Sequence, residues 1–120
     1  MMEEAKSGLV FGESGEVTTV RFLERNIIEE AHIQEMGNQI LDRVDNLPIP
    51  KMLIDFTEVD HLSSAALGQL ITINNKIRQK EGQLRLANID PQILEVFVIT
   101  KLNKLFHIHD TAEEALEDFQ

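Results

Sequence analysis

The stretch Met52-Leu53-Ile54-Asp55-Phe56 constrains the fold more than any other part of the chain. A strand with one wet face alternates apolar and polar residues, whereas a continuous apolar run has to be covered on both faces. The flanking segments show a different period. Over residues 29–46, Ile33, Met36, Ile40, Leu41 and Val44, followed by Leu47, recur at three- and four-residue steps, while Glu29, Glu30, Glu35, Asp42 and Arg43 fall elsewhere. That spacing predicts a helix, ended by Pro48 and Pro50. From Ala65 a second helical stripe runs through Ala66, Leu67, Leu70, Ile71 and Ile77, with Lys76, Arg78 and Lys80 near its C-terminal end and Gly82 as its stop. A doubly covered strand between two helices is the repeating unit of a layered α/β sheet.

The remaining segments extend the same plan. Leu9-Val10-Phe11 and the alternating stretch Val17–Leu23 flank the turn cluster Gly12-Glu13-Ser14-Gly15, which predicts an opening hairpin. Leu84 and Leu86 alternate with Arg85 in a further strand. Asp90-Pro91 reads as an N-cap followed by proline at the first helical position, and Leu94, Phe97 and Val98 form that helix's expected buried side. Phe106 and Ile108 alternate with His107 and His109 in a last strand. Asp110-Thr111-Ala112-Glu113 then fits a capping box, with Ala112, Ala115, Leu116 and Phe119 on the inner face of a terminal helix. The predicted order is β-β-α-β-α-β-α-β-α, a mixed sheet of about five strands with about four helices. Residues 1–7 read as a flexible N-terminal tail and residues 8–120 as one domain.

Composition removes several functional classes. With 11 Lys+Arg against 21 Asp+Glu, the formal net charge is −10, which opposes binding to nucleic acid. Cys is absent, so there is no thiolate nucleophile, disulfide or Cys-based zinc site. No apolar run reaches the ~18 residues of a membrane span. The opening MMEEAKSG lacks the apolar core of a secretory signal, so the expected location is cytoplasmic. No cofactor motif is legible. Gly12–Gly15 lacks the lysine of a phosphate cradle and precedes a strand. His107 and His109 share a strand face, but no third ligand accompanies them, so they read as strand-edge histidines and not as a metal site. Asp60, His61 and Ser64 are too close in sequence to converge as a nucleophilic triad. Asp55 is expected to stabilise the helix start across the turn.

Attention falls on residues 55–68, which run from the end of the buried strand through a polar turn into a helix. In α/β sheets, ligands and partners are met at this edge. Ser63 and Ser64 stand where the helix begins. One reading makes one of them the N-cap, its hydroxyl accepting a backbone N–H. The other makes one a phosphoacceptor, whose phosphate would meet the helix N-terminus and add charge beside Asp55, Glu58 and Asp60.

This stretch resembles the signature of the STAS domain, found in bacterial anti-sigma-factor antagonists and related regulators. The matching residues are Ile54-Asp55-Phe56, Leu62-Ser63-Ser64-Ala65-Ala66-Leu67-Gly68 and Leu70-Ile71. Gly82-Gln83-Leu84-Arg85-Leu86, Pro91 through Phe97, Leu102 to Ile108 and Thr111 to Leu116 resemble the later parts of the family pattern, so the likeness covers most of the chain. It implies a non-enzymatic interaction switch with phosphorylation at Ser64, or alternatively Ser63, and partner binding through Asp60, His61, Leu62, Ser63, Ala65, Ala66 and Leu67. The family's usual Gly is Ala66 here, which adds a methyl where a partner's backbone is expected to approach. The implied partners are an anti-sigma factor of the serine-kinase type and a serine phosphatase, with self-association open. The alternative within the family is a scaffold or ligand-sensing module that acts without phosphorylation.

Overall fold

The computed structural model describes residues 4–6 and 8–119. Among these residues eight strands and four α-helices follow one another as β1 (Glu4–Lys6), β2 (Leu9–Ser14), β3 (Val17–Phe22), β4 (Asn26–Ile27), α1 (Glu30–Asp45), β5 (Lys51–Asp55), β6 (His61–Leu62), α2 (Ser64–Gln79), β7 (Gln83–Ala87), α3 (Pro91–Ile99), β8 (His107–His109) and α4 (Ala112–Glu117). The main sheet has the order β1-β2-β3-β5-β7-β8. Its first two pairings are antiparallel and the other three parallel, each parallel step being bridged by one of the helices α1, α2 and α3. The five strands foreseen from the sequence are β2, β3, β5, β7 and β8, in a mixed sheet with four helices.

Three short strands were not legible. Glu4–Lys6, within the expected tail, pairs with Leu9–Phe11 as a sixth strand, while residues 1–3 and 7 of that tail lie outside the described residues. A main-chain ladder on the free edge of β2 needs no apolar pattern, so sequence periodicity gives no sign of it. β4 and β6 form a separate parallel pair of two residues each, again held by main chain.

Both faces of β5 are covered, as its composition demands. Met52 and Ile54 enter the larger core beneath α1 and α2, while Leu53 joins Val17, Ala87 and Ala115 beneath α4. The hairpin turns more tightly than the Gly12–Gly15 cluster suggests. Ser14 pairs with Val17, so Gly12, Glu13 and Ser14 remain in the strand and only Gly15, at φ 61°, takes the left-handed conformation of the two-residue loop. On α2 the buried stripe includes Ile73 and Asn74. On α3 it is Ile93 and Phe97, whereas Val98 is 53% exposed. That helix is apolar on every side, so periodicity could not choose its inner face. Thr111 is the cap of α4, its Oγ1 accepting from Glu114 N at 3.1 Å, one residue later than the expected Asp110 frame.

Gly82 does end α2, by close approach and not by backbone freedom. The left-handed residue is Glu81 (φ 60°), whereas a Cβ on Gly82 would lie 2.1 Å from the Pro50 carbonyl oxygen. That oxygen accepts from Gln83 N at 2.8 Å, so the entries to β5 and β7 are locked together there.

Candidate functional site

The strand–turn–helix unit is held by main-chain bonds at every step. Leaving β5, Phe56 N donates to Ala87 O at 3.0 Å and Val59 N to Phe56 O at 3.0 Å. Phe56 is fully buried, packing against Phe22 with ring centroids 5.3 Å apart. The chain then runs beside β4, where Arg25 O accepts from both Asp60 N (2.7 Å) and His61 N (3.1 Å), and Ile27 O accepts from Ser63 N (3.1 Å). A rigid frame therefore delivers Ser63 and Ser64 to the mouth of α2.

The two serines have different environments. Ser63, at φ −77° and ψ 166°, is the N-cap; its Oγ accepts from Ala66 N at 3.2 Å and its carbonyl from Leu67 N at 3.1 Å. Ser64 is the first helical residue, and its side chain is exposed. No hydrogen bond engages its hydroxyl among the described residues. The first turn of α2 holds no acidic side chain, so the positive end of the helix dipole is unopposed within it.

The surrounding residues divide into presenters and supporters. His61, Ser64 and Ala65 are exposed, and Asp60, Leu62 and Ser63 are half-buried. Ala66 and Leu67, expected on the partner surface, turn inward and pack in the core. At helical spacing they follow Ser63 by one turn on the inner face, so the methyl of Ala66 meets Phe22, Ile27, Met36 and Leu70 around a small apolar gap and not an incoming partner. Asp55 serves the turn and Asn88 in place of the helix start. Its Oδ1 accepts from Thr57 N (3.0 Å), Thr57 Oγ1 (2.5 Å) and Asn88 Nδ2 (3.0 Å), the last residue being left-handed at φ 58°.

No triad forms. His61 Nδ1 lies 2.7 Å from Asn26 Oδ1, and Asp60 pairs with Arg25 at 3.1 Å. Among the described residues no group of three or more His, Asp or Glu could hold a metal ion. His109 is instead 3.1 Å from Asp118, whose same oxygen accepts from Arg85 Nε at 2.6 Å. The His109 hydrogen bond, helped by the Arg85 charge and its hydrogen bond and opposed by partial desolvation, holds the Asp118 carboxyl below its usual range.

Several contributors to the rim were missed from sequence. Arg25 braces Asp60 and, at 3.8 Å, Glu58. Asp90, Pro91 and Gln92 at the start of α3 face Asp60 and His61 across a shallow hollow. Ile28, 61% exposed, follows the residue whose carbonyl receives Ser63 N. These residues come from separate segments, and only the β4–β6 pairing and the sheet order bring them together.

A mixed sheet flanked by helices, with an uncommitted serine at the N-terminus of the helix that follows its central strand, defines an α/β domain of the anti-sigma-factor-antagonist type. The model of the STAS domain family matches residues 13–115, and the chain belongs to that family. It is similar to BtrV of Bordetella bronchiseptica, a candidate anti-sigma factor antagonist, with 24% identity over 96 residues covering 80% of this chain and 82% of the relative. A Thermotoga neapolitana protein, a homolog of TM1081 and again a candidate anti-sigma factor antagonist, is 29% identical over 93 residues, covering 78% and 80% of the two chains. Among solved structures, an anti-sigma-factor antagonist (STAS) domain protein from Planctomyces limnophilus superposes with a TM-score of 0.80 at 20% identity, over 91% of this chain and 95% of the other. The phosphorylated form of the Bacillus cell-fate determinant SpoIIAA has the same fold, with a TM-score of 0.70 at 15% identity over 91% and 96% of the chains. Among the described residues no helix is long and apolar enough to cross a membrane.

Proposed function

We propose that this protein is a non-enzymatic interaction switch that binds an anti-sigma factor of the serine-kinase type and is released when that kinase phosphorylates Ser64. The observation that carries the reading is the division of labour between adjacent serines: the Ser63 hydroxyl is committed to the helix cap, and the Ser64 hydroxyl stands exposed at the first helical position. A phosphate on Ser64 meets the positive end of α2, so the fold tolerates it. The same dianion adds about −1.5 to −2 charge beside Asp60 and Glu58, and burying it against a docked partner carries a desolvation cost that blocks apolar contact at Ala65 and Ile28. A serine phosphatase would restore the neutral surface. The bond-making chemistry belongs to the partners, and this chain supplies recognition. Its net charge of −10 would also steer a basic partner surface to the site.

The test is calorimetry of the cognate serine-kinase anti-sigma factor with the native protein and with Ser64→Asp. The expected result is binding by the native protein and a loss of at least tenfold in the variant, a change of about 1.4 kcal/mol, with unchanged thermal melts. Equal affinity of the two proteins overturns the switch. Mass spectrometry after incubation with that kinase and ATP should place one phosphate on Ser64. Phosphate on Ser63 would move the site to the alternative residue, and persistent absence of phosphate favours the unphosphorylated scaffold.

A further inference from the structure

A second surface lies at the opposite end of α2. Asn74 and Arg78 from that helix, Arg85 from β7, and Lys104 and His107 from the approach to β8 line an open groove of about 400 Å³ together with the start of β7. Asn74 to Ser64 is ten residues of helix, about 15 Å at 1.5 Å per residue, so the groove is separate from the serine site.

Three observations point to an anion. First, the lining carries two arginines, a lysine and a histidine and no carboxylate, on a chain with nearly twice as many acids as bases. Second, no carboxylate among the described residues pairs with Arg78 or Lys104. By contrast Arg25, Lys51, Lys76 and Arg85 each have one. Leaving two cations unpaired together, where acids are abundant, keeps positive charge available. Third, Asn74 is 5% exposed and its Nδ2 has no hydrogen-bond partner. A buried unsatisfied donor costs about 1–3 kcal/mol, and a turn of the Asn74 amide toward the groove that this residue lines would let an arriving acceptor relieve it. Arg85 acts differently. Its Nε and Nη1 are taken by Asp118 and Leu84 O and its charge is offset by Asp118, so it forms wall and leaves the field and the grip to Arg78 and Lys104, with Asn74 beside them.

The sheet keeps this groove open. β8 begins with His107 opposite Arg85, so Gln83 and Leu84, paired with β5 on their other side, extend past its end with no strand beside them on the β8 side. The volume falls in the ordinary range for small-molecule sites, about 300–1,000 Å³. The acidic charge of the whole chain repels long polyanions, whereas a compact ligand can sit within the groove's own field.

We propose that this groove binds a small phosphate-bearing anion, gripped by Arg78 and Lys104 with Asn74 as a neutral donor. The probe is pyrophosphate, titrated into the full chain at low ionic strength and followed by amide chemical shifts. Saturable shifts confined to Asn74, Arg78, Gln83–Arg85 and Lys104–His107 are expected, with Kd near or below about 1 mM. Arg78→Gln and Lys104→Gln, both at exposed positions, should each weaken binding about fivefold to tenfold, as loss of a charge-assisted hydrogen bond does. Lys101→Gln, outside the groove, and Ser64→Asp should leave the affinity unchanged, so this result is independent of the switch. Added salt should weaken binding. The proposal is overturned if no saturable shift is seen by about 10 mM pyrophosphate, well beyond any specific affinity of this class. It is equally overturned if chloride at matched ionic strength reproduces the shifts, or if the double Gln variant binds as well as the native chain. A phosphoserine peptide that binds more tightly than pyrophosphate at the same residues would overturn the small-molecule assignment.

Discussion

The two ends of α2 differ in almost every physical respect. At the N-terminal end the helix is capped by its own flanking residue, Ser63, and leaves Ser64 exposed. At the C-terminal end it is bound into the rest of the domain. Lys80 Nζ donates to Val44 O (2.9 Å) and Asp45 O (3.0 Å), filling carbonyls at the end of α1, and Lys76 pairs with Asp45. Gly82 closes against the Pro50 carbonyl just beyond. A charge can therefore be added at the first end without disturbing packing, whereas the second end tolerates little. A site proposed for modification and a site that holds the fold together make opposite demands, and one helix can satisfy both by separating them along its length.

The largest expected effect breaks the comparison at its rigid end. Gly82→Ala places a methyl carbon 2.1 Å from a backbone oxygen that cannot swing away. The entries to β5 and β7 must part, at a cost of about 3 kcal/mol or roughly ten degrees in Tm. Chemical denaturation measures it. A loss under about 0.5 kcal/mol, the level of an ordinary surface change, would show that the end of α2 is not the lock described. At the other end Ser63→Ala removes the cap bond to Ala66 N and should cost about 1 kcal/mol, with Ser63→Asp retaining most of the stability.

How much of this contrast was readable in the sequence follows from the range of each interaction. The helices, the doubly covered β5 and the serines at the start of α2 are local patterns of period and capping, and they stand where the sequence places them. Missing were the short strands β1, β4 and β6, whose ladders are made by main chain, and the inner face of α3, which is apolar all round. Ala66 and Leu67 were read as surface because family resemblance marks a segment, whereas helix geometry decides which of its residues face out. Arg85 read as the polar member of an alternating strand. It is buried, 7% exposed, because α4 returns 33 residues later to bring Asp118 and the ring of Phe119 over it, the ring centroid 5.3 Å from the guanidinium. The cation groove was invisible for the same reason, since Asn74, Lys104 and His107 come together only when β8 takes its place beside β7.

The Arg85 contact sharpens the comparison through pH. Asp118 has its carboxyl held below the usual range, so its native state favours the charged form. Stability from such a group is fully present above the unfolded carboxylate value and is lost as pH falls through the lower, folded value. The difference in Tm between the native protein and Asp118→Asn should therefore be greatest near neutral pH and shrink on acidification below the ordinary carboxylate range. A constant difference across that window would mean that Asp118 contributes by packing alone. The Ser64 hydroxyl engages no titratable group among the described residues, so Ser64→Ala should show no such change with pH.

The smallest effect is the most decisive for the switch. Ser64→Ala deletes a hydroxyl that makes no hydrogen bond among the described residues, at an exposed first-turn position where alanine suits a helix. Its stability should stay within about 0.5 kcal/mol of the native protein, in contrast to the neighbouring Ser63→Ala. The pair of alanine variants, unfolded by urea side by side, separates a structural serine from a free one. If Ser64→Ala lost as much as Ser63→Ala, both hydroxyls would be serving the helix, and phosphorylation at Ser64 would unseat the start of α2. The switch would then work by fraying the docking helix. With the expected inequality, the fold stays indifferent to Ser64 and only the surface a partner meets is changed.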